Sequence, residues 1–255
     1  MNSRELNFLA DLIEAPRLAW PPEVRQLRSV GVFGDQDECW RLLSGVAGTG
    51  GSSASAAWLL RQLADERAGR EALEASVQAV VSGPCLLPGL RNTEDAFREI
   101  IDRANSSILI TGFALHGGRT VLAHLAHRMD QHPGLNVVLC LDISRDSGNT
   151  SDGQSIISGF ATRFRKVEWP GNRLPRLFYD PRSLARGTEE RSVLHAKIAV
   201  ADSSCALIGS ANLTEAALKR NIEIGVLIAL PAFVALVRAH VEALIHNQVL
   251  VPVPL

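Results

Sequence analysis

Between Leu194 and Glu223 the chain reads LHAKIAVADSSCALIGSANLTEAALKRNIE. Within it His195, Lys197, Asp202, Gly209, Ser210 and Asn212 follow the spacing H-x-K-x4-D-x6-G-S-x-N, with Glu223 close behind. These residue types suit phosphodiester cleavage, which needs a nucleophile, a proton donor for the leaving oxygen and positive or donor groups on the other oxygens. The neutral imidazole of His195 can attack phosphorus and form a covalent intermediate, splitting one hard step into two. Lys197 and the Asn212 amide can hold the non-bridging oxygens as charge redistributes, and Ser210 adds a hydroxyl. Glu223 is expected to accept from the other ring nitrogen of His195 and fix its tautomer.

Local pattern says how these groups are presented. Leu194–Ile198 alternates apolar and polar, which predicts a strand with His195 and Lys197 on one face. Side chains at i and i+2 then stand about 7 Å apart. Asp202-Ser203-Ser204 is a polar turn and Cys205–Ile208 a second short apolar strand, so 193–208 reads as a hairpin. Gly209 leaves the second strand where the lack of a side chain lets backbone approach a ligand. Asp202, in the turn, is expected to tie the hairpin.

The spacing resembles the HKD signature of the phospholipase D superfamily and matches it at every position. The resemblance places Asp202 in the signature. It implies a reaction in which two such motifs face each other, one His attacking and the other, protonated, donating to the leaving oxygen. His116, Arg119, His124, His127 and His132 supply no second H-x-K and no downstream G-S-x-N. One motif per chain therefore leads to the expectation of a homodimer with two hairpins meeting across a two-fold axis.

The rest of the chain has to carry that hairpin. Residues 1–75 read as a helical N-terminal module: Leu6, Leu9, Ala10 and Ile13 form one apolar face, Glu23–Val30 and Trp40–Val46 are short helices, and Ala54–Glu74 is a long one with Trp58, Leu59, Leu63 and Leu73 among its apolar residues. From 76 to 255 strands and helices alternate. Strands are predicted at Ser76–Ser82, Ser107–Leu115, Asn136–Ile143, Lys166–Trp169 and Asn221–Ala229. Helices are predicted at Glu94–Ala104 (capped by Thr93), Gly117–Asp130, Gln154–Phe164, Thr214–Lys219 and Pro231–Asn247. The fold class is α/β, a mixed β-sheet flanked by helices, and by resemblance a phospholipase D-like one.

Composition narrows the partners. A formal net charge of −1 gives no global basic field. The four cysteines are scattered without CxxC spacing, so neither a zinc site nor a disulfide framework is expected. The first twenty residues lack a continuous apolar core and do not read as a secretory signal. No run reaches transmembrane length. A cytoplasmic protein without membrane partner, metal or cofactor is the expectation. The segment Arg163–Arg191 is rich in arginine. Arg173, Arg176 and Arg191 are candidates to track a nucleic-acid backbone, and Trp169, Phe178 and Tyr179 are either base-stacking groups or core anchors.

The leading functional reading is a metal-independent phosphodiesterase, a nuclease with DNA as the expected substrate. A non-catalytic scaffold that binds DNA or partner proteins and a true phospholipase are the alternatives. The lack of an interfacial apolar helix weighs against the last. The helical N-terminal part, the single motif and the phrase SANLTEAALKRNIEIGVLI also resemble the phospholipase D-like (DrmC) group of the DISARM anti-phage defence system. That resemblance implies a bacterial protein acting on or near foreign DNA with other defence-system subunits, the N-terminal module being a docking surface.

Overall fold

The computed structural model describes residues 1–30, 36–146, 148–186 and 191–255, and the chain divides into two compact units, Met1–Ala75 and Ser76–Leu255. The first unit contains α1 (Ser3–Glu14), α2 (Val24–Ser29), α3 (Gln36–Gly48) and α4 (Ser53–Ala75). Asn2 and Glu5 form a reciprocal capping box at the start of α1. α1 runs antiparallel to α4: Ser3 meets Glu71 at one end, and at the other Arg61 pairs with Asp11 at 2.8 Å. Leu6, Leu9, Ala10 and Ile13 of α1 are buried in one cluster with Ala56, Ala57, Leu60 and Ala64 of α4. Trp58, grouped with the apolar residues of this helix by sequence, is 63% exposed instead. The buried stripe consists mostly of alanines, which let the two helix axes approach closely.

The second unit begins with β1 (Val77–Ser82), β2 (Arg91–Asn92), α5 (Thr93–Arg103) and β3 (Ser107–Gly112). Asn92, rather than the expected Thr93, caps α5 by accepting from the Glu94 amide at 2.8 Å. The chain continues through β4 (Leu115–His116), α6 (Gly118–Val121), α7 (Ala123–Gln131), β5 (Asn136–Leu141) and α8 (Gly153–Arg163). Next come a π-helical turn at Phe164–Glu168, β6 (Arg176–Tyr179) and a 3-10 turn at Pro181–Leu184. The last part holds β7 (Ile198–Ala201), β8 (Cys205–Gly209), β9 (Leu213–Thr214), α9 (Glu215–Lys219), β10 (Glu223–Ile228), α10 (Pro231–His246) and β11 (Val251–Pro252).

Nine strands form one mixed sheet in the order β11-β6-β5-β3-β7-β8-β10-β1-β2, and β4 and β9 pair separately. Alternate residues feed opposite faces. Ile108, Ile110, Leu139 and Leu141 pack with Ile100, Ile101 and Leu125 on one side. Leu109, Val138, Cys140, Val200 and Ala206 pack with Val234 and Val241 of α10 on the other. β3, β5 and β6 run parallel, β7 runs against β3, and β8 runs against β7. The start of β7 and the end of β8 therefore lie at the same sheet edge as the C-terminal ends of β3 and β5. In open α/β sheets that edge is where ligands bind.

Further sequence expectations change. The strand expected at Lys166–Trp169 is the π-helical turn, with Trp169 buried after it. The arginine-rich segment contains a sheet strand, β6, whose RLFY run lies between Pro175 and Pro181 in a stretch whose arginines, prolines and glycine read as a loop. Its residues 187–190 lie outside the described residues. The strand expected from Leu194 begins only at Ile198, because a side chain replaces the ladder over the preceding residues, as described below.

Asp202 ties the hairpin turn to the start of β3. Its carboxylate accepts from the amides of Asn105, Ser106 and Ser107 at 2.9, 3.0 and 2.8 Å and from the Ser106 hydroxyl at 2.7 Å. Its backbone is left-handed, with φ 49°, a conformation that Asp tolerates in turns. Arg238 of α10 donates to the Asp202 carbonyl at 2.8 Å and to the Ser107 hydroxyl at 2.7 Å. Partial burial alone would raise the carboxyl pKa. The Ser106 hydroxyl and the three amides outweigh it and bring the pKa down to about 2 from 3.8. Because the folded-state pKa is depressed, this stabilisation is present above pH 3.8 and is lost as pH falls through about 2. Asp202→Asn is expected to lower unfolding free energy at neutral pH by about 1–2 kcal/mol. In urea titrations the gap from wild type should narrow as pH falls from 4 toward 2; a gap independent of pH would refute this role for the carboxylate.

Candidate active site

His195 and Lys197 enter the sheet edge on an extended segment held from both sides. The buried hydroxyl of Thr111, on β3, donates to the Ala196 carbonyl at 2.9 Å and accepts from the Ile198 amide at 3.1 Å. On the other flank the Gly209 amide donates to the Lys197 carbonyl at 3.2 Å. Upstream, the Leu194 amide donates to the Asp142 carboxylate at 3.1 Å, just beyond β5. Thr111, Asp142 and Gly209 thus fix the backbone around the two reactive residues while the His195 side chain stays exposed.

Phe113, the first residue after β3, completes the reactive corner. Its ring centroid lies 4.8 Å from that of His195, tilted by 58°. The Lys197 ammonium stands 5.5 Å from the same centroid and donates to the His195 carbonyl at 2.8 Å. One aromatic ring therefore neighbours both the imidazole and the cation. Burial lowers the Lys197 pKa from its ordinary value, and the Glu223 charge partly opposes that shift. The side chain is half-buried, and a less polar surrounding strengthens the pull of an ammonium on an anion.

Ser210, Asn212 and Glu223 form the second cluster. The Ser210 hydroxyl donates to a Glu223 carboxylate oxygen and accepts from the Ile224 amide at 3.2 Å. The other Glu223 oxygen accepts from the Asn221 amide at 3.4 Å. Glu223 is thus engaged with Ser210 and Asn221, and its hydrogen bonds do not include the expected one from the His195 ring. The side-chain oxygen of Asn212 is buried without a partner. The NH2 group of this amide is the kind of donor a phosphate oxygen requires. Lys197, Ser210, Asn212 and Glu223 line one cavity of about 40 Å³. That is water-sized rather than phosphodiester-sized, so a reacting phosphate must lie on the open face with His195.

Gly209 is explained by packing. A Cβ there would stand 2.9 Å from the Gly225 Cα, its cross-strand partner on β10. A Cβ on Gly225 would meet the Ile208 carbonyl oxygen at 2.8 Å. The two glycines let β8 and β10 close up, which brings Glu223 beside Ser210. Sequence reading assigned Gly209 to ligand approach and passed over Gly225.

The three candidate arginines go to different places. Arg173 donates to the carbonyls of Met129, His132 and Pro133 at 2.6, 3.1 and 2.9 Å, closing the C-terminal end of α7. Arg176 lies over the Phe178 ring at the opposite end of β6. Its register partner Val138 pairs with Leu109, four residues or about 13 Å short of Phe113. Arg191 does reach the site edge, where it donates to the Arg145 carbonyl at 2.8 Å. Trp169, Phe178 and Tyr179 are buried core anchors, 3, 5 and 6% exposed, and are not available for stacking. Thr111, Phe113 and Asp142 were not singled out by sequence. The one available signal was their place at the ends of apolar strand runs.

The chain belongs to the phospholipase D-like family: the family described as "Cardiolipin synthase, PLD-like domain" matches residues 97–245, more than half of the 255 residues. Among solved structures the chain is similar to the phospholipase D family member Nuc from Salmonella typhimurium, at 20% identity and TM-score 0.42, covering 66% of this chain and 92% of that one. It is also similar to NucT from Helicobacter pylori, at 15% identity and TM-score 0.45, covering 69% and 99%. Phosphatidylserine synthase of Haemophilus influenzae Rd KW20 is similar at 13% identity and TM-score 0.45, covering 69% and 39%. No curated protein matches. Among the described residues, no helix is long and apolar enough to cross a membrane.

Lys197 offers a direct check on this electrostatic arrangement, because only Lys166 and Lys219 accompany it in the chain. In a side-chain NMR titration its ammonium should lose its proton below the pH of an ordinary lysine. Glu223→Gln, which removes the opposing charge, should lower that pH further. A midpoint that is unchanged or raised in the variant would show that Glu223 does not act on Lys197.

Proposed function

We propose that this protein is a phosphodiesterase acting through a phospho-histidine intermediate, with nucleic acid, and DNA in particular, as its substrate. The observation that carries the reading is the shared corner at Phe113, where an exposed imidazole and a half-buried ammonium neighbour the same ring. A neutral ring nitrogen of His195 attacks phosphorus in line with the leaving oxygen. The new P–N bond forms as the P–O bond breaks, and Lys197 and the Asn212 amide hold the non-bridging oxygens. Water then attacks the phospho-histidine, releases the phosphate ester and returns the imidazole. The donors assigned to phosphate are an ammonium, an amide and a hydroxyl. The signature's nearby carboxylate, Glu223, is hydrogen-bonded to Ser210 and Asn221. The reading is therefore of a reaction that needs no metal.

The leaving alkoxide must take a proton from an acid, and the chain carries one H-x-K motif. The acid in this reading is His195 of a second copy in a homodimer, protonated while its twin is neutral. By resemblance, the setting would be a bacterial anti-phage defence system, with other subunits as partners. A non-catalytic scaffold is the second reading; the open, anion-ready surface would serve DNA binding as well.

The test uses purified full-length chain on single- and double-stranded DNA in the presence of EDTA. Wild type should cleave in chelator, and His195→Ala should cut the rate by about a thousandfold or more while keeping its circular dichroism spectrum. Sedimentation should give twice the 27.5 kDa chain mass. Activity lost in chelator would remove the mechanism, a fully active monomer would remove the second-copy acid, and equal activity of His195→Ala would favour the scaffold.

A further inference from the structure

A groove of about 400 Å³ opens at the site edge of the sheet, lined in part by Phe113, His116, Asp142, Gly159, Phe160 and Arg163. It is within the size range of small-molecule pockets, unlike the water-sized cavity under Asn212. Phe113 belongs both to this groove and to the reactive corner, so the groove abuts His195. Its far wall is one face of α8. Ile156, Gly159, Phe160 and Arg163 recur at i, i+3, i+4 and i+7, the spacing that aligns side chains on a helix. The Arg163 guanidinium lies 5.3 Å from the Phe160 ring centroid. Phe160 is anchored against the core from behind. Gly159 beside it is a mid-helix glycine that packing does not require, since a Cβ there would meet nothing within 4 Å. Without a side chain at this position the floor beside the ring is open.

The lining selects among occupants. An acyl chain would meet two carboxylates, an imidazole and a guanidinium. A second phosphate would meet the Asp142 and Asp146 carboxylates, and the nearby cation lies over a ring. A nucleobase presents its π faces to Phe113 and to the Arg163 guanidinium that lies over Phe160, and polar atoms along its edges to Asp142, Asp146 and His116. In a duplex those faces are covered by neighbouring bases, so only an unstacked base can enter. We propose that this groove is a stacking subsite for the base next to the scissile phosphate of a single-stranded nucleic acid. This rests on the phosphodiesterase reading for its register, but binding at the groove is measurable without cleavage.

The experiment measures fluorescence anisotropy of labelled octathymidine, of the same backbone carrying abasic tetrahydrofuran residues, and of a duplex, each bound to the full-length His195→Ala protein. Stacking of one base predicts that the abasic strand and the duplex bind about tenfold more weakly than octathymidine. Gly159→Leu, which fills the floor with a good helix former and removes no packing, should weaken octathymidine binding about tenfold and leave abasic binding unchanged. Phe160→Ala should behave alike. Equal binding of octathymidine and the abasic strand, an inert Gly159→Leu, or duplex binding as tight as single-strand binding would overturn the subsite. Cleavage of the abasic strand by protein with intact His195 reads the catalytic groups separately, and Gly159→Leu should leave it within about twofold. If that protein cleaves neither strand, the catalytic reading fails while the anisotropy comparison still decides the subsite.

Discussion

Thr111 takes the place of a backbone rung. Antiparallel strands normally fill both ladder positions with main-chain groups. Here one buried hydroxyl accepts from the Ile198 amide and donates to the Ala196 carbonyl, so the residues between them are held by a side chain. The segment stays extended without entering the sheet, and His195 and Lys197 project from its rim rather than from its interior. A group removed from water in this way must be hydrogen-bonded or it destabilises the fold. The same bonds that satisfy the Thr111 hydroxyl therefore set the position of the reactive residues. Stability and site geometry depend on one set of contacts.

The hairpin topology does the rest. Because β7 and β8 are antiparallel neighbours, a chain that enters at the site edge returns to it within one turn. That return delivers Ser210 and Asn212 beside Lys197. The Gly209–Gly225 pair lets the next strand close up and brings Glu223 to Ser210. At the far end of the hairpin, Asp202 anchors the turn to the start of β3 and, with Arg238, to α10. The two ends of the hairpin thus have separate tasks, chemistry at one and anchorage at the other. Phe113 links the reactive corner to the adjoining groove, one ring serving the His195–Lys197 pair and the α8 wall together.

How much of this was legible in the sequence follows from where each signal resides. The buried strands of the second unit announced themselves as short apolar runs, and the antiparallel hairpin followed from the polar turn at Asp202. The spacing of His195, Lys197, Ser210 and Asn212 could be read because it lies within one contiguous stretch. Contacts between distant segments left no such trace. Thr111 and Asp142 are separated from His195 by more than fifty residues, and only the sheet order places them beside it. β6 was hidden because its short apolar run is flanked by Pro175 and Pro181 inside an arginine-rich stretch that reads as a loop. The arginine-rich segment looked like a phosphate-tracking loop because composition does not reveal that Arg173 closes a helix end or that Phe178 faces the core. Gly225 was silent because its role appears only opposite Gly209.

The central claim is that one imidazole carries the phosphoryl group between two half-reactions. Its most direct test is rapid acid-free quenching during turnover of a DNA strand, followed by mass spectrometry of the peptide containing His195. The account predicts added mass on the His195 ring equal to the nucleotide fragment retained through phosphorus, absent in His195→Ala. A chain that turns over substrate with no adduct at His195 at any quench time, or with the adduct on another residue, would contradict it.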